Sequence, residues 1–402
     1  MNILRKAYCR IFQSVMHALI PLFPYREPKL IHTPDGVVDV LRESSVKNVM
    51  IITDKGIRNL KLTHHLEELI SEADIACTVY DDTMPNPTSA NVEDARALYI
   101  KNECQAIIAF GGGSAMDCAK ATAARIVRPN MPLAKMAGLI KVCRKLPLFI
   151  AIPTTAGTGS ETTVASVIVD SITHHKYVIN DFCLIPRYAL LDPEITVGLP
   201  KHLTATTGMD ALTHAVEVYI GRSRTVQTKS AAEKAVKLIF ANLERAYENG
   251  ADIEARKNML HASYLAGTAF TKSYVGYIHA VAHTLGGKYN VAHGLANAIL
   301  LPKVLRAYGE SAEKALAELA RKVGLATASN SDKDSCRIII EHIEGMNERM
   351  QIPSHIDAIC ESDIPAMAKL ADKEANPLYP VPKLLSAKEL EALYYLVYNK
   401  SK

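Results

Sequence analysis

The chain contains no tryptophan and only seven phenylalanines, so aromatic residues make up 6% of its 402 residues. With no tryptophan and no cluster of arginines near the histidine motifs described below, the chain makes no provision for a large aromatic or multiply charged small molecule. Charge of one sign is scarce as well. The formal net charge is +4, with lysine and arginine interleaved among aspartate and glutamate, which leaves no footprint for nucleic acid. No apolar run reaches the roughly 18 residues that a membrane span requires. Eight cysteines (Cys9, Cys77, Cys104, Cys118, Cys143, Cys183, Cys336 and Cys360) are scattered without a CxxC pair. That excludes a dense disulfide framework and suits reduced thiols in the cytoplasm. Internal repeats and low-complexity linkers are also missing. What remains is a globular composition, 49% hydrophobic and 22% charged. The length suits two domains, each with its own core, and the exclusions point to a small-molecule partner.

One absence is local: no acidic residue precedes Glu27. Residues 1–28 instead place Leu4, Tyr8, Ile11, Phe12, Val15, Met16 and Leu19 at helical spacing, with Arg5, Lys6 and Arg10 opposite, which predicts an amphipathic helix. So wide an apolar stripe with so few basic residues is expected to dock on the body of the protein or on a partner subunit, in preference to a transit peptide or a membrane-surface helix. Arg10, Gln13, Ser14 and His17 interrupt the stripe and no small-x-small cleavage site follows, which disfavours a secretory signal.

Residues 29–200 alternate short β-rich apolar runs with helical ones. Strands are expected at Asn48–Thr53, Cys77–Tyr80, Ala106–Phe110 and Leu148–Ile152. Helices are expected up to Ala73, over Asn91–Asn102 and from Ala115 to about Ile126, and a hairpin joins Ala165–Asp170 to Lys176–Asn180. This pattern predicts a Rossmann-like α/β domain, a parallel sheet with helices on its faces. Two loops carry chemistry. Gly112, Gly113 and Ser114 lie between strand and helix, where backbone amides and the helix N-terminus can meet a pyrophosphate. Thr154, Thr155, Thr158 and Ser160 supply hydroxyls around Gly157 and Gly159 after a second strand. Either loop alone also reads as an empty turn; together at one sheet edge they suit a nucleotide. Asp54 ends a strand where an acid can accept from an adenosine ribose hydroxyl and repel a 2′-phosphate, or merely cap the next turn. Lys176 can reach a ribose or phosphate, or be solvated.

Residues 201–402 lose the strand signal and read as an all-helical domain, with helices over Thr206–Tyr219, Val226–Glu248, Ile253–Thr271, His279–Gly286, Ala296–Tyr308, Ser311–Val323, Ser335–Met350 and Ser386–Val397. Here His279 and His283 are one helical turn apart, with His293 ten residues after His283; Gly286 and Gly287 are expected to end the helix and let the chain return. Asp210 and His214 are again four apart, among apolar neighbours. A buried carboxylate is costly unless paired or bound to a metal, and imidazole is the commonest ligand for first-row divalent ions. Spacing alone leaves open which of His279 and His283 is the ligand.

The motifs TDKG at Thr53, MPNPT at Met84, GGGSAMDCAK at Gly111, PTTAGTGSE at Pro153, GMDALTHAVE at Gly208 and HAVAHTLGGKYNVAHGLANAILLP at His279 resemble those of the iron-containing (group III) alcohol dehydrogenases, from about Pro28 to the C-terminus. The resemblance implies a dehydroquinate synthase-like pair of domains, dinucleotide-binding and metal-binding. Its metal ligands fall on Asp210, His214, His279 and His293, and its non-ligand histidine near the nicotinamide on His283. Its cofactor contacts fall on Asp54, Gly112, Gly113, Ser114, Asp117, Thr154, Thr155, Thr158, Ser160 and Lys176. Two departures stand out: the N-terminal leader is long, and Asn376–Pro380 lacks the basic residue often found after Asn-Pro.

The implied activity is that of a metal-dependent, NAD-linked alcohol dehydrogenase or aldehyde reductase for small primary alcohols or diols. A divalent ion, iron before zinc, stabilises the alkoxide from which hydride passes to NAD rather than NADP, and His283 relays the proton or serves structurally. Phe270, Tyr274 and Tyr277, just before His279, are expected to wall an apolar pocket. A homodimer or larger homo-oligomer in the cytoplasm, without an integral membrane span, completes the expectation. Competing readings are a glycerol, polyol or hydroxy-acid dehydrogenase of the same fold, a non-redox synthase, whose ligand set is expected to include glutamate, and a catalytically silent metal- or nucleotide-binding protein.

Overall fold

The computed structural model describes residues 1–399, and the chain separates into two units, Pro24–Leu199 and Met1–Phe23 joined with Pro200–Lys402. The first unit contains strands β1 (Lys29–Ile31), β2 (Asn48–Ile52), β3 (Ala76–Tyr80), β4 (Ala106–Gly111), β5 (Gly138–Leu139), β6 (Leu148–Pro153), β7 (Ala165–Val169), β8 (Lys176–Asn180) and β9 (Tyr188–Leu190). Six of them form a parallel sheet in the order β1-β9-β6-β4-β2-β3. The central strands are apolar throughout because both faces are covered. Met50, Ile52, Ile107, Ala109, Phe149 and Ala151 enter one core, and Val49, Ile51, Ile108, Phe110, Ile150 and Ile152 the other. Pairing of Ile52 with Ala109 and of Gly111 with Pro153 brings the ends of β2, β4 and β6 to one edge. The polar loops begin there. The expected hairpin is present as antiparallel β7 and β8, with β5 pairing beside β8.

This unit's helices cover the sheet: α2 (Pro34–Glu43), α3 (Lys55–Asn59), α4 (His64–Glu72), α5 (Ser89–Lys101), α6 (Gly113–Val127) and α7 (Leu133–Met136), numbered after the N-terminal α1 (Ile3–Leu19) of the other unit. The single helix expected up to Ala73 is two, α3 and α4, with Lys61 between them at φ 57°. Edge strand β1 and its neighbour β9 escaped the sequence pattern because three residues are too few to display a period.

The second unit is helical: α8 (Lys201–Ile220), α9 (Val226–Glu248), α10 (Ile253–Ser273), α11 (Tyr277–Tyr289), α12 (His293–Tyr308), α13 (Glu310–Lys322), α14 (Asp332–Arg349), α15 (Ile364–Ala375) and α16 (Ala387–Tyr395). Helix α8 is buried nearly all round, and it approaches α9 so closely that a Cβ at Gly208 would meet Leu243 Cδ1 at 2.3 Å. Helix α11 does not end at Gly286 and Gly287. It runs through both to Tyr289 and stops at Asn290, whose φ of 55° sends the chain back. Glycine weakens a helix by about 1 kcal/mol without terminating it, whereas asparagine tolerates the left-handed conformation a helix end uses. Helix α15, also unexpected from the sequence, supplies Glu374 to the site below.

The N-terminal helix docks on this unit, but with the opposite face from the one its pattern suggested. Arg5 pairs with Asp372 at 2.9 Å, and Arg10 donates to the carbonyls of Val381 (2.8 Å) and Pro382 (2.9 Å). Gln13 donates to Tyr379 O at 2.7 Å, and His17 Nδ1 contacts Ser223 O at 2.9 Å. The reason lies in the segment between α15 and α16, whose backbone carbonyls need donors that an apolar stripe cannot supply. Of the stripe, Leu4, Tyr8, Ile11, Val15 and Leu19 are exposed, and Phe12 and Met16 are half-buried. Among the described residues, no helix is long and apolar enough to cross a membrane, and all eight cysteines are free thiols.

Candidate metal centre and nucleotide loops

Helix α8 carries Asp210 and His214 on one face, and both are buried in the second unit. Helix α11 presents His279, also buried, and the turn after Asn290 returns the chain so that His293 opens α12. That last placement needs Gly294, where a Cβ would meet Thr206 O of α8 at 2.4 Å. The result is one ligand atom from each of Asp210, His214, His279 and His293, all within 4.8 Å of one another. Asp210 Oδ1 lies 3.8 Å from His279 Nε2 and 3.4 Å from His293 Nε2.

The donor set fits a divalent ion on three counts. Glu217, a further turn along α8, lies with its Oε2 2.6 Å from His279 Nδ1, so a proton held there leaves the Nε2 lone pair facing the cluster. Burial, reinforced by the three neighbouring imidazoles, holds His279 well below the ordinary histidine pKa, in the neutral form that ligation requires. Finally, the amide nitrogen of Asn297 stands 2.6 Å from Asp210 Oδ1, 3.1 Å from His279 Nε2 and 3.2 Å from His293 Nε2. Three electron-pair donors thus converge on a single positive dipole, and a cation satisfies the same convergence. Phe270 stacks on His214 with centroids 4.2 Å apart, and His214 in turn on His279 at 4.5 Å.

Glu217 is itself anchored. It accepts from the backbone of Gly276 (2.8 Å) and Ile278 (2.9 Å) at the start of α11, where a Cβ at Gly276 would come within 2.5 Å of Oε1. Burial pushes its pKa up to about 7, against the pull of those two N–H groups and of His283. His283 lies outside the ligand cluster: its Nδ1 is 2.6 Å from Glu374 Oε1, which also accepts from Tyr379 Oη at 2.8 Å. Of the three expected pocket aromatics, Phe270 is at the centre, while Tyr277 is wholly buried with its hydroxyl donating to Asn376 Oδ1 at 2.9 Å and accepting from Leu385 N at 2.9 Å. Tyr277 is therefore a core residue. Tyr274 is half-buried in the turn after α10, at φ 62°.

Glu217, Asn297 and Glu374 were missed in the sequence. The first two carried a signal: Glu217 follows Asp210 and His214 by seven and three residues, and Asn297 follows His293 by four, on the same helix faces. Glu374 carried none, because it comes from a distant helix.

In the first unit the two polar loops lie against each other. Thr154 N donates to Gly111 O at 3.1 Å, and Cβ atoms at Gly112 and Gly113 would lie 3.6 Å and 3.2 Å from the side chains of Thr155 and Thr158. Gly112 caps α6 and leaves its first amides open. Ser114 Oγ accepts from Asn86 N at 3.4 Å, and Lys176 Nζ donates to Asn86 Oδ1 at 2.9 Å, so Asn86 links these two candidates. The Asp117 carboxyl is raised by burial, against Lys120 and Lys176. Ser160 is buried and faces Lys120, a lysine the sequence reading passed over. Its ammonium donates to Ser160 O (2.7 Å), Thr163 O (2.9 Å), Thr163 Oγ1 (2.8 Å) and Ala165 O (3.0 Å), pinning the second loop to α6. Asp54 caps α3 through Ile57 N at 3.0 Å, and its other oxygen lies 3.9 Å from where a Gly111 Cβ would stand, beside the first loop.

A parallel α/β unit with two glycine-rich loops, and a helical unit with a buried carboxylate among three imidazoles, define a metal-dependent enzyme of the nucleotide-linked class. Two family models match the chain, iron-containing alcohol dehydrogenase over residues 32–193 and the C-terminal part of the Fe-containing alcohol dehydrogenase family over residues 204–398. The chain is 36% identical to a 1,3-propanediol dehydrogenase of Citrobacter freundii over 386 residues, 93% of this chain and 98% of that one. A crystal structure of 1,3-propanediol oxidoreductase superposes with a TM-score of 0.88 at 34% identity, covering 93% of this chain and 99% of the other. The sulfoacetaldehyde reductase of Bifidobacterium kashiwanohense, solved with NAD+, gives 0.82 at 28% identity, covering 93% and 98%. The protein belongs to the iron-containing alcohol dehydrogenase family. It is an oxidoreductase that acts on alcohols.

Proposed function

We propose that the protein is an NAD-linked dehydrogenase of short primary alcohols and diols, holding a divalent ion, iron before zinc, on Asp210, His214, His279 and His293. The observation that carries this reading is the convergence of those four ligand atoms within 4.8 Å. Once bound, the ion supplies Lewis acidity that lowers an alcohol's pKa and polarises an aldehyde carbonyl. NAD supplies the hydride acceptor. Asp210 offsets charge, Glu217 keeps His279 turned toward the centre, and Phe270 stacked on His214 presents an apolar wall. His283, held through Nδ1 by Glu374, is the imidazole that takes up or releases the substrate proton.

Asp54 beside Gly111 supports NAD over NADP, since a fixed carboxylate there repels a 2′-phosphate. The NAD+ in the sulfoacetaldehyde reductase and the propanediol specificity in the names of two relatives support cofactor and substrate class. The same reading includes a cytoplasmic setting, consistent with eight free thiols, and a homodimer or larger homo-oligomer, which light scattering checks.

The test is metal-loaded enzyme with NAD and a panel of alcohols, following NADH absorbance. Ethanol, propanol or propanediol should turn over. Phe270→Ala should shift kcat/KM toward longer chains by on the order of tenfold per methylene accommodated. If all three alcohols fail while a sugar phosphate or an acidic alcohol reacts, the apolar-wall argument falls and the metal and cofactor assignments stand.

A further inference from the structure

Helix α1 is held by its polar side and shows its apolar side to solvent. Cys9 and Gln13 are 1% and 5% exposed, whereas Ile3 is 85%, Leu4 81%, Tyr8 58%, Ile11 65% and Val15 52% exposed, followed by Leu19 at 38% and Leu22 at 76%. An apolar face this continuous exceeds what a protein surface ordinarily leaves to water. The contacts of Arg5, Arg10, Gln13 and His17 with the helical unit keep the face turned outward.

We propose that this face seats the protein on an anionic lipid surface, with α1 lying in the plane of the interface. The first reason is width. At roughly 100° per residue, Ile3, Leu4, Tyr8, Ile11, Val15 and Leu19 spread over about 160° of the helix, broader than the narrow seam one facing helix covers. A lipid surface wets the whole arc at once. The second reason is charge. No acidic residue precedes Glu27; Lys6 is exposed beyond one side of the arc, and Arg5, bordering the other, is paired with Asp372 while its side chain stays 43% exposed, whereas Arg10 is turned to the body. A second copy packed on the stripe would bring two acid-free segments together, like against like, whereas anionic headgroups complement them. Tyr8, with an apolar ring and polar tip, suits the boundary between acyl chains and water. The helix is too short and too polar to span a bilayer, so it lies on one.

The absence of tryptophan makes Ile11→Trp a sole fluorescent reporter in the full-length protein. Its emission should shift to the blue on adding phosphatidylcholine vesicles that contain phosphatidylglycerol, less with phosphatidylcholine alone, and less again at high salt. Co-sedimentation of the native sequence with the anionic vesicles should fall on the order of tenfold or more in the double variant Ile11→Glu, Val15→Glu. Turnover of that variant with soluble alcohol should be unchanged. The proposal is overturned if the native protein does not co-sediment, or if the double variant binds equally well. A drop in molar mass of the double variant by light scattering, without vesicle binding by the native chain, also overturns it and makes the stripe a subunit interface.

Discussion

Glu217 Oε2 and His279 Nδ1 lie 2.6 Å apart and both side chains are almost fully buried. The carboxylate faces the nitrogen of His279 turned away from the cluster, and it ties α8 to the start of α11 through two backbone N–H groups. Glu217→Gln is expected to retain the fold but weaken metal affinity by about 10- to 100-fold, the range typical for such orienting partners. Equilibrium dialysis against buffered Fe2+ or Zn2+ measures it. Unchanged affinity would reduce Glu217 to a helix cap.

The proposed assignment makes His279 a ligand and His283 a bystander, and variants of the two test it. His279→Ala should lose bound metal, activity and the rise in melting temperature that metal gives, since a bound ligand stabilises only the state that holds it. His283→Ala should keep the metal and lose rate. Elemental analysis of both variants decides, and metal retained in His279→Ala but lost in His283→Ala reverses the assignment.

Asp54 should set cofactor preference. Steady-state kinetics with NAD and NADP are expected to favour NAD in the native enzyme, and Asp54→Gly should narrow the ratio by removing the charge that repels the extra phosphate. Because Asp54 also caps α3, where glycine is a tolerated substitute, the variant should lose only about a few tenths of a kcal/mol of stability. A native preference for NADP would remove Asp54 from this role.

Glu161 predicts a pH dependence of stability. It is buried in the second loop, and burial raises its pKa from 4.5 to about 7, against backbone hydrogen bonding and Lys120. A carboxyl with a folded pKa above its unfolded value stabilises the fold fully below the unfolded value, and that contribution is lost as pH rises through the folded one. The loss should therefore fall between about pH 4.5 and 7, amounting to at most about 3 kcal/mol. Melting curves across this range should show a decline in the native protein that is shallower in Glu161→Gln, where buried Asp117 and Glu217 still titrate. Parallel curves would show that Glu161 does not carry it.

Local periodicity was enough for much of the fold. Strands at 106–111 and 148–153 and the helix Val226–Glu248 were legible because a buried parallel strand is uniformly apolar and an amphipathic helix repeats at 3.6. What local pattern could not reveal was partnership. The stripe on α1 read as a docking face, yet the carbonyls of Tyr379 and Val381, distant in sequence, selected the polar side instead.

For the centre, the division is sharper. By itself the sequence determined which side chains have the chemistry of ligands, since a carboxylate and imidazoles one helical turn apart share a face whatever the surroundings. It also determined the chain's kinship, through its motifs. Only the tertiary structure decided that helices more than sixty residues apart converge so that Glu217 reaches His279, that Gly294 brings His293 against α8, that Glu374 arrives beside His283, and that Tyr277 is withdrawn into the core. Those outcomes depend on close packing between distant segments, where the removal of one Cβ or the need of one buried carbonyl sets the approach, and no short window of sequence contains both partners.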